Sequence, residues 1–161
     1  MVIISDTTVL SNLSQINELD LLKTLYSEVI IPKSVRAELQ TLIDSNTIPE
    51  EEVIPEWLVI KAPIDTSKIG ELLNTLDLGE SEAIALSLEL KADYLLIDEK
   101  QGRLVAVENN IKVIGTLGIL LEAKNQKLID SVKDKMDQLK AIGFWINDSI
   151  YQKVIELEKG I

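Results

Sequence analysis

Four acidic residues stand where a sheet of parallel strands would bring their carboxylates together. Asp6 and Asp98 each follow directly on a short apolar run that is typical of a buried strand. Glu38 lies in a helix-like stretch after a third apolar run, and Glu82 lies in the opening turn of another such stretch. The carboxyl ends of parallel strands line one edge of a sheet, where α/β proteins form ligand crevices. We therefore expect the four acids to converge at that edge.

Carboxylates gathered in one pocket repel each other, by about 4 kcal/mol per pair at 4 Å with an effective dielectric constant near 20. A divalent cation removes this penalty, and hard oxygen ligands suit Mg²⁺ and Mn²⁺. One such cation can lower the pKa of an attacking water while a second stabilises a leaving oxygen. The four acids therefore predict a magnesium or manganese site.

The chain contains no histidine and no cysteine. This composition excludes Ser-His-Asp and Cys-His catalysis, zinc sites built from imidazole or thiolate, and disulfide bonds. Any general base must be a carboxylate, a lysine, a tyrosine or a metal-bound water. A cation held by carboxylates, with a metal-bound water as the base, is compatible with all of these exclusions.

With 161 residues, of which 46% are hydrophobic and 27% charged, the chain predicts a single globular domain over 1–161. No apolar run is long enough to span a membrane, and the N-terminus lacks a signal peptide, so we expect a cytoplasmic protein. The net charge of −11 differs from the basic surface of an ordinary nucleic-acid binder. It suits a partner with a segment rich in arginine or lysine.

The elements that must position the acids alternate between short apolar strands and amphipathic helices, which predicts a parallel sheet with right-handed crossovers. Strands are expected at 2–5, 28–31, 94–97 and 112–114, with 57–61 as a further edge strand. Helices are expected at 7–15, 19–26, 33–44, 65–76, 80–91, 99–109, 116–125, 131–142 and 148–159. Two prolines and the acidic run Glu50-Glu51-Glu52 predict a surface loop over 44–56.

The last two helices form a C-terminal pair in 126–161, following a core region at 1–125. Their apolar residues recur at helical spacing, beside Phe144 and Trp145 in the connecting segment. Two interpretations stay open: packing against the core of the same chain, or a surface for a second copy or a partner.

Five segments together resemble the PIN domain, most closely its compact prokaryotic branch of predicted nucleic-acid-binding proteins related to VapC toxins. The segments are 4–12, 31–39, 78–86, 94–100 and 113–120. The resemblance covers 1–125 well. It implies a three-layer α/β/α sandwich with a short parallel sheet, and a ribonuclease that hydrolyses RNA phosphodiester bonds.

The resemblance also implies roles for individual residues and partners. Asp6, Glu38, Glu82 and Asp98 match the family's catalytic acids and its ligands for Mg²⁺ or Mn²⁺, although many members have aspartate where this chain has Glu82. The implied partners are an RNA substrate, an antitoxin with a basic segment and a second copy of the chain. Glu80 is the alternative to Glu82 at this position, but it is expected at the helix end, facing away from the pocket.

Each acid also has an alternative interpretation. Asp6, for example, could simply cap the helix that follows it.

At the level of function, the first alternative is a non-catalytic PIN-like module that binds protein or nucleic acid, which the glutamate at position 82 favours. The second is a HAD-like phosphatase or receiver domain, although Asp6-Thr7-Thr8 lacks the Asp-x-Asp pattern. Lys100 and Arg103, just after Asp98, are candidate contacts for RNA phosphate.

Overall fold

The computed structural model describes residues 1–49 and 54–161, and a parallel five-stranded sheet with the order β3-β2-β1-β4-β5 lies at its centre. The strands are β1 Ile3–Ser5, β2 Val29–Pro32, β3 Leu58–Lys61, β4 Tyr94–Leu96 and β5 Val113–Ile114. Every neighbouring pair is parallel. All five carboxyl ends therefore open on one edge of the sheet, and the predicted edge strand at 57–61 is confirmed as β3.

Helices cover both faces of this sheet. They are α1 Thr7–Gln15, α2 Asp20–Tyr26, α3 Lys33–Asp44, α4 Thr66–Leu72, α5 Leu78–Glu89, α6 Lys100–Glu108, α7 Thr116–Asn125, α8 Val132–Ala141 and α9 Asp148–Lys159. Consecutive strand residues point to opposite faces. Accordingly, Ile3 packs with α1–α3 and α7–α9, whereas Ile4 packs with α4–α6. The predicted three-layer α/β/α sandwich is confirmed.

The start of α5 differs from the sequence prediction. The helix was expected to begin at Glu80, with Leu78 and Gly79 as a separator, and this expectation is wrong. The side chain of Asp77 accepts a hydrogen bond from the backbone N–H of Glu80 (2.8 Å) and caps a helix that begins at Leu78. Gly79 consequently lies in the first helical turn, next to the sheet edge.

Two sequence expectations concern the surface of the chain. Across residues 1–49 and 54–161, no helix is long and apolar enough to cross a membrane. The acidic run at 50–52, predicted as part of a surface loop, lies outside the described residues.

The C-terminal helices α8 and α9 pack onto the sheet through the same hydrophobic cluster as α1, α2 and α7. Met136 and Leu139 of α8 and Val154 of α9 are buried in that cluster. This agrees with the core-packing interpretation of the helical pair. Leu157, nearer the end of α9, is 51% exposed.

We predict that Met136→Ala lowers the free energy of unfolding by about 2–5 kcal/mol, because it leaves a cavity in the core. Leu157→Ala is the matched control on the neighbouring helix and should change that free energy by no more than about 0.5 kcal/mol. Urea denaturation followed by circular dichroism measures both. Equal, small effects would show that the helical pair does not fold together with the sheet.

Candidate active site

Asp6 lies at the end of the central strand β1, where the chain passes directly into α1. Its backbone N–H donates to the carbonyl of Leu96 (2.9 Å), which keeps it level with the end of the adjacent strand β4. Asp6 occupies the N-cap position of α1, but its side chain makes no capping hydrogen bond. The residue is only 4% exposed, and no lysine or arginine of the described residues forms a salt bridge with it. Helix capping therefore does not account for this carboxylate.

The surroundings of Asp6 disfavour its charge. Burial raises the pKa of Asp6 to about 7, against partial opposition from the backbone N–H of Thr7, and repulsion from Asp77, Glu38 and Asp98 raises it further. A buried carboxyl group with this pKa is partly protonated at neutral pH. A cation placed beside it would favour the ionised form.

Glu38 reaches the same edge from α3, the helix that follows β2. Val35 and Leu39 on this helix are buried in the core, so Glu38 projects from the border of the buried face. The hydroxyl of Thr7 donates a hydrogen bond to Glu38 Oε2 (2.5 Å) and fixes the carboxylate. The side chain of Glu38 is thereby oriented by the first residue of α1.

Gly79 is the point on which the Asp6 and Glu38 side chains converge. A Cβ atom at position 79 would lie 2.5 Å from Glu38 Oε1 and 3.4 Å from Asp6 Oδ1. The first distance is too short for any real Cβ atom, so a side chain at this position would displace the glutamate. Glycine in the first turn of α5 is what allows the two carboxylates to approach each other.

Asp98 follows β4 and is held by three hydrogen bonds. Its Oδ1 accepts from the backbone N–H of Thr116 (2.7 Å), and its Oδ2 accepts from the hydroxyl of Thr116 (2.5 Å) and the side-chain amide of Asn12 (3.0 Å). The Asp98 carboxylate is therefore held in a fixed orientation by residues of α1 and α7.

Arg103 lies next to Asp98. Its Nη1 donates to the carbonyl of Ile97 (2.9 Å), which holds the guanidinium group at the sheet edge. A Cβ atom at Gly115 would lie 2.8 Å from both Arg103 Nη1 and Asp98 Oδ1. Glycine at position 115 thus leaves room for a cationic and an anionic group on either side of it.

Glu82 is half-buried on α5, and its charge acts on Glu38. Burial raises the pKa of Glu38, the Thr7 hydrogen bond opposes this, and the charges of Asp77 and Glu82 raise it further. The charge of Asp77, a residue that sequence reasoning missed, raises the pKa values of both Asp6 and Glu38. Its only sequence signal is an aspartate at a helix cap two residues before a glycine.

Glu80 contradicts its sequence prediction, because it is buried rather than turned away at the helix end. It is 7% exposed, and its Oε2 atom has no hydrogen-bond partner among the described residues. Burial first, and then the neighbouring Asp77, raise the pKa of Glu80 above its usual range. The earlier start of α5, at Leu78, turns this side chain inward.

A family model described as a PIN domain matches residues 2–159, almost the whole chain. The chain belongs to the PIN-domain family. PIN domains are generally nucleases and usually use divalent metals. No curated protein is similar enough to the chain to count as a match. The resemblance of residues 1–125 to the PIN domain is confirmed, and the match extends to the C-terminal helices. The alternative of a HAD-like phosphatase or receiver domain is set aside.

The donor set of this PIN domain suits a hard cation, because it consists of carboxylates that form no salt bridge with a lysine or arginine of residues 1–49 and 54–161. The structure places Asp6 and Asp98 at the ends of neighbouring parallel strands and brings Glu38 to Asp6 at Gly79. Across the described ranges, however, no three histidine, cysteine, aspartate or glutamate side chains are arranged to hold one ion.

We predict that Asp6→Asn stabilises the metal-free PIN domain at pH 8. Well below pH 3.8 the carboxyl is protonated in the folded and unfolded states alike. As the pH rises from 3.8 to about 7, only the unfolded state loses the proton, so the free energy of unfolding falls. At about 1.4 kcal/mol per pH unit, the full penalty above pH 7 is on the order of 4 kcal/mol. Asparagine removes it, so the melting temperature should rise more at pH 8 than at pH 5.

Asp98→Asn is the matched control, since it neutralises an acid at the same edge that accepts three hydrogen bonds. It should lower the melting temperature at both pH values, because asparagine cannot accept all three. If both variants shift the melting temperature in the same direction, the two acids do not differ in their surroundings as described.

Proposed function

We propose that this PIN domain is a ribonuclease that hydrolyses RNA phosphodiester bonds with Mg²⁺ or Mn²⁺. The observation that supports it is the Asp6 carboxylate, which is buried, makes no capping hydrogen bond and lies next to Glu38. Within the described part of the chain, no lysine or arginine forms a salt bridge with it. A strongly perturbed carboxyl group in such a place is typical of functional sites. In a family that generally consists of nucleases, the edge of the sheet is the candidate catalytic centre.

In this proposal Asp6, Glu38, Glu82 and Asp98 hold the cation or cations. When bound, Mg²⁺ or Mn²⁺ would make an attacking water more acidic and would stabilise negative charge on the phosphate oxygens. The lack of histidine fits this chemistry, which needs no imidazole.

Other residues of the chain would keep the acids in position. Thr7 orients Glu38, whereas Thr116 and Asn12 orient Asp98. Arg103 holds its guanidinium beside Asp98, where it would pair with a phosphate of the RNA. These contacts fix side chains before substrate arrives, which lowers the cost of assembling the site.

The experiment is a cleavage assay on structured RNAs with Mg²⁺, Mn²⁺ or EDTA. The wild-type protein should cleave only with a divalent cation, and Asp6→Asn should lose at least about a hundredfold in rate, as expected for a group needed in the transition state. Asp20→Asn removes an exposed acid from α2 and is the matched control, with unchanged cleavage expected.

Thermal stability gives a second readout that does not depend on cleavage. Mn²⁺ at one hundred times its dissociation constant should stabilise the wild-type fold by about 2.7 kcal/mol and should not stabilise Asp6→Asn. Metal-induced stabilisation without cleavage of any RNA would contradict the nuclease proposal while leaving the metal site in place.

A non-catalytic PIN-like module is the second candidate function. Two observations favour it, namely the glutamate at position 82 and the lack of three acids arranged for one ion across residues 1–49 and 54–161. The cleavage and thermal-stability measurements described above distinguish the two candidate functions. An unchanged melting temperature at millimolar Mn²⁺, together with intact RNA, would favour the binding module.

We further propose that the protein is the toxin of a toxin–antitoxin pair and acts in the cytoplasm. A net charge of −11 and the acids at the sheet edge suit an antitoxin segment that carries arginine or lysine. Such a cationic side chain would occupy the place of the metal beside Asp6 and Asp98. A homodimer would offer two of these sites to one antitoxin assembly.

We predict a stable complex between this chain and the small protein encoded by the adjacent gene. Neutralising Asp6 and Asp98 together should weaken that complex, because the basic segment loses both carboxylates. Isothermal titration calorimetry would measure the change, with Asp20→Asn as the control for the loss of one exposed acid. Equal affinity of the double variant and the wild type would rule out occupation of the acidic site.

A further inference from the structure

A cavity of about 770 Å³ opens beside Asp98, on the β5 side of the candidate site. Its volume lies within the range of small-molecule sites, roughly 300–1,000 Å³. Four aromatic residues line it: Tyr26, Tyr94, Phe144 and Trp145. The chain has only two tryptophans, three tyrosines and one phenylalanine, so most of its aromatic rings gather at this one cavity.

The segment that carries Phe144 and Trp145 is fixed at both ends. Gly143 has a φ of 97°, and the backbone N–H groups of Gly143 and Phe144 donate to carbonyls in the last turn of α8. At the other end, the side chain of Asn147 accepts a hydrogen bond from the backbone N–H of Ile150 (2.7 Å) and caps α9. Trp145 is therefore presented on a short, well-anchored connection, although the residue is 80% exposed.

The cavity also contains charged groups of the candidate site. Asp98 and Arg103 both line it. Arg103 forms no salt bridge with an acid of the described residues, although the carboxylates of Asp98 and Glu122 also line the cavity. A ligand that fills the cavity thus meets aromatic faces, a guanidinium group and a candidate catalytic acid together.

We propose that this cavity is a subsite for one unpaired nucleobase of single-stranded RNA, stacked on Trp145 with the adjoining phosphate on Arg103. The inference rests on the proposed ribonuclease function and adds a place for the substrate. Aromatic faces stack on any base, whereas a base within a duplex is not free to enter. An aliphatic helix of a protein partner would match the apolar walls but would leave the guanidinium group unpaired, a costly arrangement.

Binding can be tested without cleavage in the Asp6→Asn protein with EDTA present. A Trp57→Phe substitution leaves Trp145 as the only tryptophan, so its fluorescence reports on the cavity. Single-stranded oligoadenylate should quench this fluorescence, and duplex RNA should not. In the Asp6→Asn protein that keeps Trp57, Trp145→Ala should weaken binding measured by fluorescence anisotropy by about fivefold or more, the lower end of the effect of losing one stacking ring.

Two controls separate stacking from a general loss of structure. Trp145→Phe keeps an aromatic face and should recover most of the affinity. Leu157→Ala removes an exposed side chain of α9 outside the cavity and should leave binding unchanged.

Arg103 gives an independent measurement. Arg103→Gln should reduce the slope of log affinity against log salt concentration by about 0.7, the contribution of one phosphate contact on a single strand. Lys153→Gln removes one positive charge from the exposed surface of α9 and is the matched control, with no change in slope expected.

An unchanged affinity of Trp145→Ala for oligoadenylate would overturn the subsite. It would also be overturned if sedimentation showed that Trp145→Ala dissociates a dimer without altering RNA affinity, because the cavity would then be an interface between two copies. The proposed function fails separately, if the wild type binds oligoadenylate through Trp145 but cleaves no RNA with Mg²⁺ or Mn²⁺.

Discussion

The burial of one carboxylate, that of Asp6, is the constraint on which the arrangement of the site depends. β1 lies between β2 and β4, so the residue at its end is enclosed by neighbouring strands and by the helices that follow them. Glu38 and Asp77 then bring further negative charge toward it. The hydrophobic clusters on both faces of the sheet supply the stability that offsets this unfavourable burial of charge.

The acids at this edge differ in their hydrogen bonds and in their neighbours. Three hydrogen bonds hold the Asp98 carboxylate, whereas Asp6 has no basic partner in the described structure. Glu80 is buried beside Asp6, and the loss of water raises the pKa values of both groups. Carboxyl groups in different surroundings can take distinct chemical roles in one site.

Local patterns in the sequence predicted most of the fold. The bounds of α1, α3, α7 and α9 agree with prediction, because their apolar residues recur at helical spacing between clear start and stop signals. The positions of Asp6 and Asp98 at strand ends also followed from sequence.

Features that depend on side-chain contacts were not predictable in this way. The start of α5 depends on a hydrogen bond from the backbone of Glu80 to Asp77, and it decides which of its glutamates is buried. The partners of Asp98 come from Asn12 and Thr116, far away along the chain. The aromatic cavity is assembled from segments as distant as Tyr26 and Trp145, and no local pattern reveals it.

Helix α1 connects the two halves of the site. It begins directly after Asp6, its first residue Thr7 holds Glu38, and its later residue Asn12 holds Asp98. A shift of this single rigid helix therefore alters the surroundings of all three acids at once. A cation beside Asp6 and a ligand beside Asp98 would then be thermodynamically linked, each changing the affinity for the other by the same factor.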